Sequence, residues 1–305
     1  MKIMERKYIC RNGVVERTRY AVGDTAMPRG RKKKKSDFRK QEQNFNSSLR
    51  KVARILNCNY SSADGLLITL DYEPEGMEKL LKSMEDADRT VIECLQLERG
   101  QIGSWSASSK KTGKKNDAGE MAQEAMLKLW SAADHQLELW LRRVKRKCKC
   151  QVKALAVTSD MDHETGAMVR VHHHVVLKAE GISWDLLQQE WKNGCVDIRR
   201  LRQQADYTPI ALYLMRQVRS LPEKKKYRVS QGMEQPVTEE RVVLCGGEIK
   251  APAGAKVLER SEYSEDTVGQ YIRYVPKKAM QEAYGRMASK EGGKGEVSKD
   301  QQHKP

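Results

Sequence analysis

The sequence predicts an α+β protein in which helices pack on an antiparallel sheet. Amphipathic helical stretches alternate with short apolar runs that are rich in β-branched residues. Two of these runs, 154–158 and 169–177, are separated by a short turn, which is typical of an antiparallel pair. The order of elements is helix, strand, helices, strand, strand, helix, strand and helix, which favours the α+β class.

The first half of the chain contains two predicted helical regions around one central strand. Apolar residues recur at spacings of three and four within 37–56, which predicts a helix. The apolar run 66–72 predicts a strand buried on both faces, and a helix is expected around 75–87. A long helix is expected over 120–149, with an apolar stripe facing the sheet and its basic side facing outward.

The second half begins with the two strands already named. A helix is expected over 184–192, and a short strand over 195–199. A further helix is expected to start near Asp206 or Thr208, since either side chain can cap it and Pro209 suits a first turn. The region 222–278 is expected to form short extended segments and turns.

The pattern also predicts four regions along the chain. Residues 1–36 are polar and basic and are expected to be a disordered arm. Residues 37–278 are expected to form the folded domain, with a flexible insertion at 101–119 that is rich in Ser, Lys and Gly. Residues 279–305 are expected to be a polar, disordered tail.

Composition excludes several classes of protein. The chain has 305 residues and 39% hydrophobic residues, enough for one sizeable core, yet no apolar run reaches the ~18 residues of a membrane helix. The N-terminus lacks the apolar region of a secretory signal, so a cytoplasmic location is expected. The 7 cysteines include no CxxC pair, and we expect reduced thiols rather than a disulfide framework or a zinc finger.

The charge balance favours an anionic partner. The chain carries 57 Lys and Arg against 41 Asp and Glu, a formal net charge of +16. Nucleic acid is the commonest partner of such a surface, although a basic surface can also serve solubility alone. The side chains expected to contact phosphate without sequence preference lie in the N-terminal arm and on the long helix; they are Lys32, Lys33, Lys34, Lys35, Arg142, Arg143 and Arg146.

Three adjacent histidines lie in the predicted strand around 171–177. Side chains of a strand alternate between faces, so His172 and His174 share one face and His173 points to the other. Two imidazoles at this spacing are suited to chelating one divalent cation. The alternative is a strand pair of histidines that is hydrogen-bonded or exposed without a metal.

A tyrosine lies on the predicted helix that starts near residue 208. Tyr213, Arg216 and Gln217 share one face of this helix. A tyrosine hydroxyl can attack a metal-polarised phosphodiester, and Arg216 could neutralise the phosphate or lower the pKa of the phenol. The alternative is that Tyr213 is an aromatic residue of the core.

Taken in this order, these segments resemble the HUH endonucleases, and among them the bacterial rolling-circle replication initiators. The family's first motif matches Leu67–Tyr72, its His-apolar-His motif matches His172–Leu177, and its tyrosine motif matches Ala211–Arg216. This sequence has His173 where the family has a bulky apolar residue, and Arg216 where it has lysine. The stretches between the motifs are also similar, so that the resemblance covers roughly 40–278.

The resemblance implies an HUH palm of the RRM-like type and the metal-dependent nicking of origin DNA. His172 and His174 would hold Mg²⁺ or Mn²⁺, with an acidic third ligand for which Asp160 precedes Asp71 and His163. Tyr213 would be the single nucleophile, leaving a 5′-phosphotyrosine and a 3′-OH before strand joining. A host helicase and a host DNA polymerase would be the partners in a bacterial cytoplasm, with no membrane involved.

Three alternatives to a replication initiator stay open. Within the superfamily they are a mobilisation relaxase and a single-strand transposase. Conjugative relaxases usually place the tyrosine before the histidine pair, and such transposases are about half as long as this chain. The third alternative is a DNA-binding regulator without catalytic activity, which does not account for the three ordered motifs.

Overall fold

The structure is a computed structural model of the chain, and it describes residues 2–22, 38–97, 117–161, 168–178, 180–218, 225–243, 247–261 and 269–279. The helices are α1 (Phe38–Asn59), α2 (Pro74–Lys82), α3 (Asp86–Leu97), α4 (Asp117–Cys148), α5 (Trp184–Glu190) and α6 (Thr208–Arg216). The strands are β1 (Lys2–Ile9), β2 (Val15–Val22), β3 (Gly65–Asp71), β4 (Ala154–Met161), β5 (Met168–Lys178), β6 (Val196–Arg200), β7 (Arg228–Val229), β8 (Val237–Val243), β9 (Lys256–Ser261) and β10 (Gly269–Val275).

These elements confirm the α+β class, but they form two antiparallel sheets where one was expected. The chain divides into two compact units, each built on a five-stranded sheet. Unit 1 comprises Met1–Asn59, Gln203–Thr208 and Glu234–Pro305, and unit 2 comprises Tyr60–Arg202 and Pro209–Met233. The predicted single domain over 37–278 is therefore divided, because α1 and the late strands belong with the N-terminal residues.

The N-terminal residues 2–22 form a β-hairpin, which corrects the predicted disordered arm. β1 and β2 pair along their whole length, from Lys2 opposite Val22 to Ile9 opposite Val15. The turn between them is closed by the backbone N–H of Cys10 donating to the carbonyl of Val14. Charged residues are consecutive in both strands, at 5–7 in β1 and 16–17 in β2, so the sequence shows no apolar-polar alternation that would have predicted the hairpin. Lys32–Lys35 lie outside the described residues.

Unit 1 has strand order β8-β1-β2-β10-β9, with all pairings antiparallel. Helix α1 contributes buried apolar residues at the expected spacing, including Val52, Ala53 and Leu56. One small buried cluster joins Cys10 and Val14 of the hairpin turn to Cys58 of α1 and Val275 of β10. Hydrophobic burial therefore ties the hairpin to the helix and to the last strand.

Unit 2 has strand order β6-β3-β5-β4-β7, also antiparallel. One face carries Leu66, Ile68 and Leu70 of β3, which are at most 1% exposed and belong to the apolar core. Helix α4 contacts β4 and β5 and buries Trp130 and Trp140. The apolar stripe predicted for this helix therefore does face the sheet.

Two further sequence predictions concern the segments around α4. Helix α4 begins at Asp117, so the last three residues of the predicted insertion 101–119 are helical, and residues 98–116 lie outside the described part.

At the C-terminal end of α4, Cys148 and Cys150 form a disulfide, contrary to the expected reduced thiols. Lys149 has a φ of 52°, and this turn brings the two Cα atoms to 5.3 Å.

The predicted tail, 279–305, lies outside the described residues after Ala279. Among the residues that the structure describes, no helix has both the length and the apolar character needed to cross a bilayer.

Candidate metal and nucleophile site

The two faces of β5 carry different histidines, as the alternation of a strand predicts. His172 lies opposite Asp71 of β3 and Ser159 of β4, whereas His174 lies opposite Thr69 and Val157. Directly opposed residues of an antiparallel pair share a face, so these six positions lie on one side of the sheet of unit 2. His173 lies opposite Leu70 and Thr158 on the other side.

The imidazoles of His172 and His174 meet edge to face above the sheet. Their Nε2 atoms are 3.1 Å apart, and their ring centroids are 4.8 Å apart. His172 Nδ1 lies 2.9 Å from the carbonyl oxygen of Arg170, which can only accept, so Nδ1 carries the proton. In neutral His172 the lone pair is therefore on Nε2 and faces His174.

Gln217 places its side-chain oxygen beside His174 Nε2, the atom that also faces His172. Its Oε1 lies 2.7 Å from His174 Nε2, and the residue is 3% exposed. The backbone carbonyl of Gln217 accepts a hydrogen bond of 2.7 Å from Ser159 Oγ, which holds the end of α6 against β4. His174 Nδ1 lies 3.2 Å from Thr69 Oγ1, so the ring is held from both sides.

The atoms that converge here suit a divalent cation. His172 Nε2, His174 Nε2 and Gln217 Oε1 are nitrogen and oxygen donors separated by 3.1 Å and 2.7 Å. Ligand atoms of an octahedral Mg²⁺ lie at about 2.1 Å from the ion, which places neighbouring ligands about 3 Å apart. The two distances from His174 Nε2 to its neighbours are thus close to the spacing of adjacent ligands in such a coordination shell.

Tyr213 lies beside this donor set. Its ring centroid is 5.4 Å from that of His174, with an interplanar angle of 68°. The side chain is half-buried, and Gln217 Nε2 donates to the Tyr213 carbonyl at 3.4 Å across one turn. Helix α6 thus presents the tyrosine and the amide to the histidine pair from one face, as the i to i+4 spacing predicts.

The structure also shows where the other residues predicted on or next to α6 lie. Helix α6 begins at Thr208, as predicted, and Asp206 Oδ1 accepts from the Thr208 backbone N–H at 3.0 Å. Arg216 is the last residue of α6 and is exposed. Tyr207 is buried and precedes the helix.

The side chains predicted as the third ligand occupy different places in the structure. Among the described residues, no group of three His, Cys, Asp or Glu side chains is placed to hold a metal ion. Asp160 is buried in β4, where the register with β5 shifts between Ser159 and Met161. Asp71 is exposed opposite His172, and His163 lies outside the described residues. Asp160 as a ligand stays a prediction.

Gln217 is a candidate ligand that the sequence pattern did not indicate. The helix-face pattern grouped it with Tyr213, but the expectation for the third ligand was an acidic residue. An amide oxygen is also a normal ligand of hard cations. The spacing of four residues after the tyrosine was the signal available in the sequence.

His173 belongs to a buried hydrogen-bond chain on the core face. Thr158 Oγ1 donates to Asp134 Oδ1 at 2.5 Å, so it accepts from His173 Nδ1 at 2.9 Å. His173 Nε2 is then the acceptor for the hydroxyl of Tyr72, which lies 3.1 Å away. Burial raises the pKa of Tyr72, which keeps this hydroxyl protonated. Arg228 closes the chain by donating to Asp134 Oδ2 at 3.1 Å.

The basic residues predicted on α4 have different surroundings. Arg143 donates to the carbonyl of Glu190 from two nitrogens, at 3.2 Å and 3.0 Å, and so ties α4 to α5. Arg142 is exposed and lies 3.5 Å from Glu138, and Arg146 is exposed. The exposed Arg146 therefore remains open to an outside anion, whereas Arg142 and Arg143 each have an internal partner.

Comparison with known proteins adds no relative: no family model, curated protein or solved structure matches this chain.

Proposed function

We propose that the protein is a tyrosine endonuclease that initiates rolling-circle DNA replication by nicking one strand of an origin. The observation that carries this proposal is the convergence of His172 Nε2, His174 Nε2 and Gln217 Oε1 beside the Tyr213 ring. Under this proposal the sheet of unit 2 is an HUH palm of the RRM-like type. The ordered sequence motifs and the net charge of +16 support the same activity.

His172, His174 and Gln217 would hold Mg²⁺ or Mn²⁺. Such an ion supplies Lewis-acid polarisation of the scissile phosphate and neutralises its charge. The carbonyl of Arg170 and the hydroxyl of Thr69 fix the two imidazole rings, so that little rearrangement is needed on binding. Asp160 would be a further ligand, as the sequence resemblance implies.

Tyr213 would then act as the nucleophile. Its phenolic oxygen forms a bond to phosphorus while the bond from phosphorus to the 3′-oxygen breaks. The phenol loses its proton, and the departing 3′-oxygen gains one, which leaves a 5′-phosphotyrosine and a 3′-OH. Arg216, one turn away, would pair with the phosphate. The reverse reaction with a new 3′-OH joins the displaced strand without ATP.

The product explains the proposed partners. The 3′-OH would prime a host DNA polymerase, and a host helicase would supply strand separation, since no P-loop motif is present in the sequence. A relaxase or transposase of the same superfamily would use the same chemistry on different DNA. A regulator without catalytic activity would bind DNA and leave it intact.

The test is covalent trapping on DNA. Supercoiled plasmid carrying the candidate origin should be nicked by the wild type in Mg²⁺ or Mn²⁺, and mass spectrometry should find DNA on the peptide containing Tyr213. Tyr213→Phe should form no adduct, while the matched change Tyr227→Phe, at a half-buried tyrosine outside α6, should leave nicking intact.

Two results would contradict the proposal. An adduct with Tyr213→Phe would mean that another residue is the nucleophile. Full nicking by the double variant His172→Ala, His174→Ala would remove the role of the metal. If wild type binds the DNA and never cleaves it in either metal, the regulator becomes the better description.

A further inference from the structure

Unit 1 contains a cavity of about 770 Å³ between one face of its sheet and helix α1. The sheet contributes Arg6 and Tyr8 from β1 and Tyr271 from β10, and α1 contributes Arg50 and Lys51. This volume is in the range of ligand-binding clefts. The cleft, which we call the α1 groove, shares no residue with the histidine and tyrosine site of unit 2.

Guanidinium groups are stacked on tyrosine rings in this groove. The Arg50 guanidinium carbon lies 3.6 Å from the centroid of Tyr271, and that of Arg54 lies 3.5 Å from the centroid of Tyr8. A planar cation on an aromatic face is held in place by cation–π attraction. One face of each ring is thereby covered, so neither ring offers that face to a nucleotide base.

Among the described residues that line the groove, Arg6, Arg50, Lys51 and Arg54 are basic and Glu42 is acidic, which leaves a positive balance. Arg54 is paired at 2.7 Å with Glu16, which is buried. The carboxylate nearest to Arg50 is that of Glu259, 3.9 Å away, at the limit of an ion pair. Among the described residues, none forms an ion pair with the exposed Lys51. Arg50 and Lys51 are therefore the cations free to meet an anion from outside.

Tyr271 supplies an independent sign of a ligand. The residue is 3% exposed, and within the described part of the chain its hydroxyl has no hydrogen-bond partner. Burial also raises the pKa of Tyr271, so the hydroxyl keeps its proton and can donate. A buried hydroxyl without a partner costs free energy unless a ligand or water accepts its hydrogen.

We propose that the α1 groove binds the phosphodiester backbone of duplex DNA. Arg50 and Lys51 supply the charge, and the Tyr271 hydroxyl and the side-chain amides of Gln43 and Asn46 supply neutral donors. The covered ring faces argue against a site that stacks the bases of a single strand. This contact is separate from the proposed nicking chemistry and carries no sequence information by itself.

The test measures duplex affinity with the full-length protein. A fluorescein-labelled duplex of about 30 base pairs and arbitrary sequence is titrated by anisotropy at several salt concentrations. The double variant Arg50→Ala, Lys51→Ala should bind at least about 10-fold more weakly at 0.1 M salt, and its salt slope should be shallower by about 2. The control Lys250→Ala, Lys256→Ala removes the same charge from exposed positions outside the groove.

A second variant tests the proposal even if the Arg50, Lys51 variant misfolds. Tyr271→Phe removes only the unpartnered hydroxyl, so the thermal unfolding midpoint should not fall, while duplex affinity should drop about 3-fold or more. Equal affinity of the Arg50, Lys51 variant and the wild type would overturn the proposal, as would an equal loss in the control pair. A loss confined to a single-stranded probe would also overturn it. Tyr213→Phe should bind the duplex normally, whatever the outcome of the nicking assay.

Discussion

At the scale of single residues, two acceptor atoms face the same ring nitrogen of His174. His172 Nε2 and Gln217 Oε1 both face His174 Nε2, so a proton on His174 can satisfy both of them. A cation bound at this point would replace that proton and accept a lone pair from each of the three atoms. The proposed metal affinity should therefore depend on Gln217.

We predict that Gln217→Leu lowers the affinity for Mn²⁺ by at least about 10-fold, because one of three donors is lost. Gln217→Glu keeps an oxygen in place and adds charge, so it should bind Mn²⁺ at least as well as the wild type. Isothermal titration calorimetry of the protein without DNA measures this directly. The matched control is Gln188→Leu, an exposed glutamine of α5.

A variant on the other face of β5 separates metal binding from folding. His173→Leu breaks the chain from Tyr72 to Thr158 but leaves the donor set intact, so Mn²⁺ affinity should be retained. Unchanged affinity in Gln217→Leu, or a loss in His173→Leu as large as in His172→Ala, would show that the ion is bound elsewhere.

At the scale of elements, Glu5 joins three strands of unit 1. This residue of β1 is 3% exposed, and it accepts from Arg17 and Arg19 of β2 at 2.9 Å and 2.5 Å and from Arg241 of β8 at 2.8 Å. Burial raises the pKa of Glu5, but the hydrogen bonds from the arginines outweigh it and lower the pKa from 4.5 to about 2.

This pairing makes the stability of unit 1 sensitive to acid. Because the folded-state pKa of Glu5 is below the unfolded value, its contribution is fully present above about pH 4.5 and is lost as the pH falls toward 2. We predict that Glu5→Gln lowers the free energy of unfolding by about 3 kcal/mol at pH 7, because three arginines lose a buried partner. Urea unfolding at a series of pH values measures both effects.

The difference between wild type and Glu5→Gln should shrink steadily below pH 4.5. Glu239→Gln is the matched control, since this exposed carboxylate of β8 pairs with Lys7 and should contribute less than about 1 kcal/mol. A difference that stays constant from pH 7 to pH 2 would mean that the charge of Glu5 does not stabilise the sheet.

At the scale of the whole molecule, the net charge of +16 has more than one use. Some of the basic side chains are internal partners, as Arg143 is for Glu190 and Arg17 for Glu5. Others, such as Arg146 and Lys51, are exposed without an ion pair among the described residues. Net charge therefore overstates the number of side chains that can meet DNA.

We predict opposite effects for two arginines of α4. Arg143→Ala should lower the free energy of unfolding by about 1 to 3 kcal/mol, because the Glu190 carbonyl and carboxylate lose a charged donor. Arg146→Ala should change stability by less than about 0.5 kcal/mol but should weaken binding to DNA and reduce its salt dependence. Urea unfolding and anisotropy titration of both variants check this, and the reverse pattern would contradict it.

Much of the local structure is determined by the sequence. The strands β3 and β5, the long helix α4 and the start of α6 follow from apolar periodicity and capping, which are short-range signals. The facing of His172 and His174 on one side and His173 on the other follows from strand alternation alone. The sequence likewise places Tyr213 and Gln217 on one helix face.

The tertiary structure decided which strands pair and which side chains are neighbours. The hairpin of residues 2–22 was missed because charged residues dominate its composition, and it is long-range pairing with β8 and β10 that makes it part of a sheet. The division into two units depends on contacts between segments far apart in sequence. Gln217 is a candidate ligand because the tertiary structure packs the end of α6 against β4 and β5. Periodicity determines which face of an element a side chain lies on, and only packing determines which other element that face contacts.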